Sequence, residues 1–175
     1  MSIAFVLGNG VSRKGISAAW LKQHGTIYGC NALYRDYAPV FLVATGKEII
    51  DEIANSGYCD DHIVYANSEA IATYPGKFYL IPQDPHYTAG AIATYLACFD
   101  GHKKVFLLGY DNYDVEGPIN NVYKDTNGYL TSAETQQGQF WINTLRSVMT
   151  TYNDVEFVRV MPTDTYWFPP EFDGL

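Results

Sequence analysis

The chain has 175 residues and a mass of 19.6 kDa, which is the size of one domain with an adequate hydrophobic core. Apolar residues make up 47% of the chain and charged residues only 17%, which excludes a disordered polypeptide. The 11 basic and 19 acidic side chains give a net charge of −8, which disfavours nucleic acids and anionic membranes as partners because both attract basic surfaces.

The predicted elements alternate between strand and helix along the chain. Uniformly apolar runs predict the strands, and apolar residues three and four positions apart predict the helices. In chain order we expect a strand at residues 3–7, a short helix around 16–20, strands at 26–30 and 40–44, a helix from 49 to about 57, strands at 62–65 and 78–81, a helix at 88–99, a strand at 105–108, a helix at 131–152 and a strand at 155–160. This alternation predicts an α/β fold with a mainly parallel sheet and right-handed crossovers.

Two segments of the predicted single domain, residues 1–175, lack regular patterning. Residues 111–132 are polar and rich in Gly, Asn and Tyr, and a loop of this length in a compact domain is usually a functional lid. Residues 163–175 contain Trp167, Phe168 and two adjacent prolines, which indicates an extended tail that packs on the body or on a neighbouring subunit. The aromatic tail and the low charge favour a homo-oligomer.

The cysteine pattern and the start of the sequence bear on the cellular compartment of the protein. The 3 cysteines are far apart, which is typical of buried thiols in a reducing environment, and no cysteine or histidine cluster predicts a metal site. The chain starts without the features of a secretory signal, and no apolar stretch approaches the roughly 18 residues of a membrane span. We therefore expect a cytoplasmic protein, of a bacterium or of a virus-infected host cell.

In a parallel α/β sheet, ligands bind where the strands end, next to the point at which strand order reverses. This rule selects polar residues and glycines after four of the predicted strands: Gly8, Asn9, Gly10 and Ser12; Asn31; Thr45; and Gly109, Tyr110 and Asp111. Glycines there let backbone N–H groups approach a phosphate. Alternatively, Gly8 and Gly10 only form a tight strand-to-helix turn, and we expect Ser12 to cap the helix that follows.

Asn31 and Asp111 each have two interpretations. Asn31 can pair with the edge of a base or a sugar through its donor and its acceptor, or it can cap the next turn. Asp111 can bind a ribose or an amino group, or it can cap the turn after its strand. Asp111 and Asp114 also resemble a metal-binding carboxylate pair, although two carboxylates in the loop of an acidic protein are more often solvated.

Four tyrosines and one histidine are candidates for catalysis in or near the lid. A hydroxyl of Tyr110, Tyr113, Tyr123 or Tyr129 can donate to a leaving phosphate, or the ring can anchor the loop by partial burial, which is the favoured interpretation for Tyr129. His86 precedes the predicted helix at 88–99 and is the only histidine expected near the cleft. It is a candidate general base or a surface residue.

Four short sequence blocks occur in a fixed order between residues 3 and 113. They are Gly8-Asn9-Gly10-Val11-Ser12, Gly29-Cys30-Asn31, Thr88-Ala89-Gly90 and the stretch from Gly101 through Gly109-Tyr110-Asp111 to Tyr113. Their order and spacing resemble the bacterial lipooligosaccharide sialyltransferases (glycosyltransferase family 42), which read Gly-Asn-Gly-Pro-Ser, Arg-Cys-Asn, Thr-Ser-Gly and Gly-Tyr-Lys-x-Ile-Tyr-Leu-x-Gly-x-Asp-Phe-Tyr. A domain of unknown function shared with archaeal hydroxymethylpterin pyrophosphokinases has a similar glycine-turn opening.

The resemblance implies a Rossmann-like three-layer sandwich with a short lid, which binds a cytidine nucleotide sugar without a metal or another cofactor. It implies that Asn9 and Asn31 contact the donor nucleotide and that Tyr113 and Tyr123 hydrogen-bond its phosphate. It also implies that the sugar and phosphate are bordered by Thr88, Ala89 and Gly90. The ribose and base would be lined by Gly109, Tyr110 and Asp111.

The chain also departs from the family pattern. The catalytic base of these enzymes is a histidine that follows the lid, and residues 103–175 of this chain contain no histidine. His86 or Asp125 would then have to serve as the base. The family's proline, arginine and serine in the first three blocks are replaced by Val11, Gly29 and Ala89.

Three functions follow as hypotheses. The first is a metal-independent glycosyltransferase, a sialyltransferase-type enzyme that uses a CMP-sugar donor. The second is a binding or interaction protein that keeps the fold without catalysis. The third is phosphoryl transfer of the pterin pyrophosphokinase type, which needs magnesium on carboxylates such as Asp111 and Asp114.

Overall fold

The computed structural model describes residues 2–111, 121–129 and 138–160. Within these residues the strands are β1 Ile3–Leu7, β2 Thr26–Cys30, β3 Phe41–Val43, β4 Ile63–Ala66, β5 Tyr79–Leu80, β6 Lys104–Leu108 and β7 Glu156–Val160. The α-helices are α1 Ala18–His24, α2 Lys47–Ser56, α3 Tyr58–Asp61, α4 Ser68–Thr73, α5 Ala89–Phe99 and α6 Gly138–Thr151. Two 3₁₀ turns, Val11–Arg13 and Asn31–Arg35, come after β1 and β2.

The seven strands form one parallel sheet in the order β5-β4-β3-β2-β1-β6-β7. The chain builds outward from β1 to β5 and then returns to the other side of β1 with β6, so strand order reverses between β1 and β6. The register sets Leu7 beside Gly29 of β2 and Leu108 of β6, which brings the ends of these strands to one level. The predicted α/β, Rossmann-like fold with a mainly parallel sheet is confirmed.

Helices cover both faces of the sheet, which gives three layers. Phe5 and Leu7 of β1 point into a core shared with α1, α2 and α4, whereas Ala4 and Val6 point into a core shared with α5 and α6. A strand that is buried on both faces needs apolar side chains at every position. This explains why β1 is a continuous apolar run.

The start of α1 differs from the prediction. Ser17, whose Oγ accepts a hydrogen bond from the Trp20 N–H at 3.2 Å, caps this helix. The prediction that Ser12 is the cap is wrong, because Ser12 lies in the 3₁₀ turn Val11–Arg13 and its side chain donates to Asp111. Two short helices, α3 and α4, were not predicted, although Asn67 caps α4 by accepting from the Ala70 N–H at 2.9 Å.

The edge strand β5 is shorter than predicted, and several later segments lie outside the described residues. β5 has only two residues, both exposed, and α6 is described from Gly138 onward. The predicted helix start at 131, the tail at 163–175 and residues 112–120 and 130–132 of the lid lie outside the described residues. No helix within the described part of the chain is long and apolar enough to cross a membrane.

Candidate functional site

The carboxyl ends of β1, β2, β3 and β6 lie at one edge of the sheet, because neighbouring strands are parallel and in register. Asn9, Asn31, Thr45 and Asp111 follow these four strands directly or within two to three residues. Helix α5 begins at the same edge, where Gly90 lies against Tyr110. Segments far apart in the chain thus supply polar groups to one edge.

The glycines after β1 and β6 allow the two strand ends to touch. The N–H groups of Gly8 and Gly10 donate to the carbonyls of Leu108 (2.8 Å) and Gly109 (2.9 Å). A Cβ on Gly8 would lie 2.7 Å from the Gly109 carbonyl oxygen, and one on Gly10 would lie 2.5 Å from Cγ of Asp111. The tight-turn interpretation accounts for these glycines, since their N–H groups already have backbone acceptors and do not form a phosphate cradle.

Asp111 caps the turn that follows β1. Its Oδ2 accepts from the Ser12 N–H at 2.8 Å, and its Oδ1 accepts from the Ser12 hydroxyl. Asp111 is 7% exposed. Asp111 therefore acts as a cap, although of the turn after β1 and not of the turn after its own strand β6, and the predicted ribose contact or magnesium ligation would have to use the lone pairs that Ser12 leaves free. Asp114 lies outside the described residues.

Asn9 is the buried polar side chain at the centre of this edge. Its Nδ2 donates to the carbonyl of Cys30 at 2.9 Å, which ties the end of β1 to the end of β2. Its Oδ1 is buried and has no hydrogen-bond partner, while the residue is only 7% exposed. A buried acceptor without a partner costs about 1 to 3 kcal/mol, so a ligand that donates a hydrogen bond there would gain that energy.

Asn31 adopts a left-handed backbone conformation, with φ of 49°. Asparagine tolerates this conformation better than most residues. Its Oδ1 accepts from the Thr45 N–H at 3.1 Å, so the end of β2 is joined to the end of β3. The side chains of Asn9 and Asn31 thus tie together three neighbouring strand ends.

The N-terminus of α5 lies against the end of β6. Thr88 caps the helix, with Oγ1 accepting from the Ala91 N–H at 3.4 Å. Tyr110 is 3% exposed, and its hydroxyl donates to the Gly90 carbonyl at 2.8 Å and lies 3.1 Å from the Thr94 hydroxyl. Tyr110 therefore supports the helix from inside the core, and its predicted role in lining the ribose and base stays a prediction. The 11-residue helix directs the positive end of its dipole toward this edge.

Tyr123, in the described part of the lid, is buried and only 6% exposed. Its hydroxyl donates to Oδ2 of Asp36 at 2.7 Å and accepts from Nη2 of Arg13 at 2.9 Å, and the guanidinium groups of Arg13 and Arg35 lie 5.5 and 5.6 Å from its ring centre. Burial, reinforced by the hydrogen bond to Asp36, raises the pKa of Tyr123. These bonds oppose the predicted role as a phosphate-binding tyrosine, because the hydroxyl is already engaged in both directions.

An ion pair holds the described part of the lid to the body, and we call it the lid clamp. Arg35 donates to both carboxylate oxygens of Glu52, each at 2.7 Å, and also to Thr126 at 2.7 Å and to the Asn127 carbonyl at 3.0 Å. The Arg35 hydrogen bonds lower the pKa of Glu52 to about 2, and burial together with the Glu52 hydrogen bond raises the pKa of Tyr34 to about 12. The lid clamp therefore consists of Arg35, Glu52, Thr126 and Asn127.

The lid also reaches the strand ends. The Val122 N–H donates to the Asn9 carbonyl at 2.8 Å. Burial raises the pKa of Tyr129 to about 12, and the nearby Asn9 side chain opposes that rise. The expected anchoring role of Tyr129 matches this placement.

The remaining predicted catalytic residues do not form a described catalytic group. His86 is exposed in the loop before α5, and Tyr113 lies outside the described residues. Sequence reasoning missed Arg13, Arg35 and Glu52, because nothing in their spacing signals partners 17 to 110 residues apart. Among the described residues, no group of three His, Cys, Asp or Glu is arranged to hold a metal ion.

The sequence matches no protein-family profile and no curated protein. Solved structures do match. A variant of the α-2,3/8-sialyltransferase CstII is 15% identical with a TM-score of 0.61, covering 94% of this chain and 83% of that one. The monofunctional α-2,3-sialyltransferase Cst-I from Campylobacter jejuni is 14% identical with a TM-score of 0.59, covering 94% and 78%.

Other matching structures contain nucleotides. CstII from Campylobacter jejuni with the substrate analogue CMP-3FNeuAc is 14% identical, with a TM-score of 0.58 and coverage of 94% of this chain and 83% of that one. A CstII variant with CMP has a TM-score of 0.65 at 13% identity, with coverage of 94% and 83%. The resemblance to the sialyltransferases is thereby confirmed for the fold, which extends over nearly the whole chain.

Proposed function

We propose that this protein binds a nucleotide sugar at the carboxyl edge of its sheet and acts as a glycosyltransferase, with CMP-sugars as the first candidate donors. The observation that carries the proposal is the buried, unpartnered Oδ1 of Asn9, which lies where the ends of β1 and β2 meet. That acceptor is suited to a hydroxyl or an amino group of the ligand.

A nucleotide supplies the complementary chemistry. Its hydroxyl and amino groups can donate to Asn9, and its phosphate is favoured near the positive end of α5, whose first residues are Ala89 and Gly90. The fold match to enzymes solved with CMP and CMP-3FNeuAc supports a cytidine nucleotide over other nucleotides.

The proposed reaction needs no metal. Asp111 is the described carboxylate at the end of β6, and both of its oxygens are engaged by Ser12. The phosphoryl-transfer hypothesis needs that carboxylate for magnesium, and we rank it lower because magnesium would compete with Ser12 for the same two oxygens. We expect nucleotide affinity to be the same with EDTA as with magnesium.

Calorimetric titration with CMP, CDP, UDP and GDP tests the proposal. We expect CMP to bind, and Asn9→Ala to weaken its binding about five- to thirtyfold, since a lost hydrogen bond in a buried site costs about 1 to 2 kcal/mol. Asn67→Ala is the matched control, because Asn67 also follows a strand but uses its Oδ1 to cap α4.

The control should lose about 1 kcal/mol of stability as a missing helix cap while keeping full CMP affinity. Asn31→Gly is a second binding variant, which keeps the left-handed backbone and removes only the amide. Absence of heat with every nucleotide, or equal CMP affinity in wild type and both site variants, would refute the proposal.

A second candidate function is nucleotide binding without catalysis. It is favoured by the engaged hydroxyl of Tyr123 and by the lack of histidine in residues 103–175. Release of CMP from CMP-sialic acid separates the two functions. Turnover that Asn31→Gly abolishes establishes the transferase, whereas tight CMP binding with no turnover on any acceptor establishes the binding protein.

A further inference from the structure

The chain contains two Asn-Gly dipeptides, Asn9-Gly10 and Asn127-Gly128. Asparagine is a thermolabile residue, and a following glycine makes it more so, because glycine has no side chain to keep its backbone nitrogen away from the neighbouring amide. Asn9-Gly10 is buried at the strand ends, whereas Asn127-Gly128 is exposed in the described part of the lid. The two dipeptides therefore share their chemistry and differ in their surroundings.

The fold protects Asn9-Gly10. The Gly10 N–H donates to the Gly109 carbonyl at 2.9 Å, so the nitrogen that would attack the amide is engaged. The Asn9 amide donates to the Cys30 carbonyl at 2.9 Å, and Asn9 is only 7% exposed. A reaction between the two residues would have to separate the ends of β1, β2 and β6.

The surroundings of Asn127-Gly128 favour attack by the backbone nitrogen. Within the part of the chain that the structure describes, the Gly128 N–H has no hydrogen-bond acceptor. The Asn127 carbonyl accepts from Nη2 of Arg35 at 3.0 Å. This carbonyl belongs to the same peptide group as the Gly128 nitrogen, so the guanidinium charge stabilises the anion that forms when the nitrogen loses its proton.

We propose that Asn127 is a site of spontaneous deamidation and that its conversion loosens the lid clamp. The Gly128 nitrogen gives its proton to solvent and bonds to Cγ of Asn127. The Cγ–Nδ2 bond then breaks, and ammonia leaves after taking up a proton from solvent. Water opens the resulting cyclic imide at either of its carbonyls, so that aspartate or isoaspartate replaces Asn127. Water is the only co-reactant.

The product disturbs the contact of Asn127 with Glu52. The Asn127 Nδ2 donates to Oε2 of Glu52 at 2.7 Å, and a carboxylate in its place has no proton to donate. Glu52 is ionised near neutral pH, because the hydrogen bonds from Arg35 lower its pKa to about 2. Two carboxylates would then face each other and repel. Residues 121–129 should therefore separate from the body more readily after conversion.

Peptide mapping by mass spectrometry of the full-length protein, incubated at mildly alkaline pH, tests the reaction. In the native protein we expect Asn127 to convert to aspartate and isoaspartate while Asn9 stays intact. In denaturant both asparagines should convert at similar rates, because both dipeptides are then solvated. Equal conversion of the two residues in the native protein, or an Asn127 that stays intact while the unfolded chain converts, would overturn the proposal.

Tryptic cleavage after the exposed Lys124 tests the consequence for the lid. At neutral pH Asn127→Asp should be cut about two- to fivefold faster than the wild type, the range expected for a partly exposed charge contact. Adding Asn127→Asp to Glu52→Gln should cause no further increase, because the facing carboxylate is gone. Equal cleavage of wild type and Asn127→Asp would refute the effect on the lid clamp.

Asn127→Gln is the matched control, because its side chain keeps the amide but is one methylene longer and cyclises poorly. During the alkaline incubation, cleavage after Lys124 should become faster in the wild type and stay constant in this variant. The same acceleration in both proteins would contradict the proposal. Circular dichroism verifies that each variant is folded, and no readout involves a nucleotide, so the outcome is independent of the proposed function.

Discussion

Gly109→Ala is expected to destabilise the fold by about 2 to 5 kcal/mol, because it combines an unfavourable φ with a backbone clash. The φ of Gly109 is +73°, which an alanine adopts at a cost of about 1 to 2 kcal/mol. Its Cβ would also lie 2.7 Å from the Gly8 carbonyl oxygen, so the ends of β1 and β6 would have to separate. Chemical denaturation measures the loss.

Gly76→Ala is the matched control for this substitution. Gly76 has a similar φ of +80°, but its Cβ would meet nothing within 4 Å. The free energy of unfolding of the Gly76→Ala variant should therefore fall only by the conformational cost of the positive φ, about 1 to 2 kcal/mol. Equal losses at both positions would mean that the contact between the two strand ends is not required for stability.

Disrupting the lid clamp is the second large expected effect. Arg35→Ala leaves the partly buried Glu52 without its ion-pair partner, and Glu52→Gln keeps the shape but removes the charge. Near neutral pH we expect the free energy of unfolding to fall by about 2 kcal/mol in Arg35→Ala and by about 1 kcal/mol in Glu52→Gln. Hydrogen bonds to charged groups contribute about 1.5 to 3 kcal/mol, and partial solvent exposure reduces this contribution. Residues 121–129 should also become more susceptible to proteolysis.

The lid clamp has a defined pH dependence. The folded pKa of Glu52 is about 2, below its ordinary value of 4.5, so its contribution is complete above pH 4.5 and is lost as the pH falls toward 2. The difference in unfolding free energy between wild type and Glu52→Gln should therefore shrink over that interval. A constant difference down to pH 2 would contradict the ion-pair account.

The regular core of the fold could be predicted from local sequence. Strands such as β1 and β6 are buried on both faces, so their continuous apolar runs mark them, and the parallel sheet follows from their alternation with helices. The short elements could not be predicted in this way. β5 has two exposed residues and α3 has four, too few for a period to be visible.

The site was predictable in place but not in detail. The strand-end rule located Asn9, Asn31 and Asp111 at one edge, because it depends only on strand direction. The hydrogen-bond partners of these residues come from segments up to 99 positions away, as with Asp111 and Ser12. Sequence spacing could not show that Asp111 caps a turn while Asn9 keeps a buried acceptor without a partner.

A crystal structure of the protein saturated with CMP tests the central claim most directly. The account predicts the nucleotide at the carboxyl ends of β1 and β2, with a hydroxyl or amino group within hydrogen-bond distance of Asn9 Oδ1 and its phosphate facing the first turn of α5. A nucleotide bound on another face of the sheet, or Asn9 Oδ1 still without a partner in the bound complex, would contradict it.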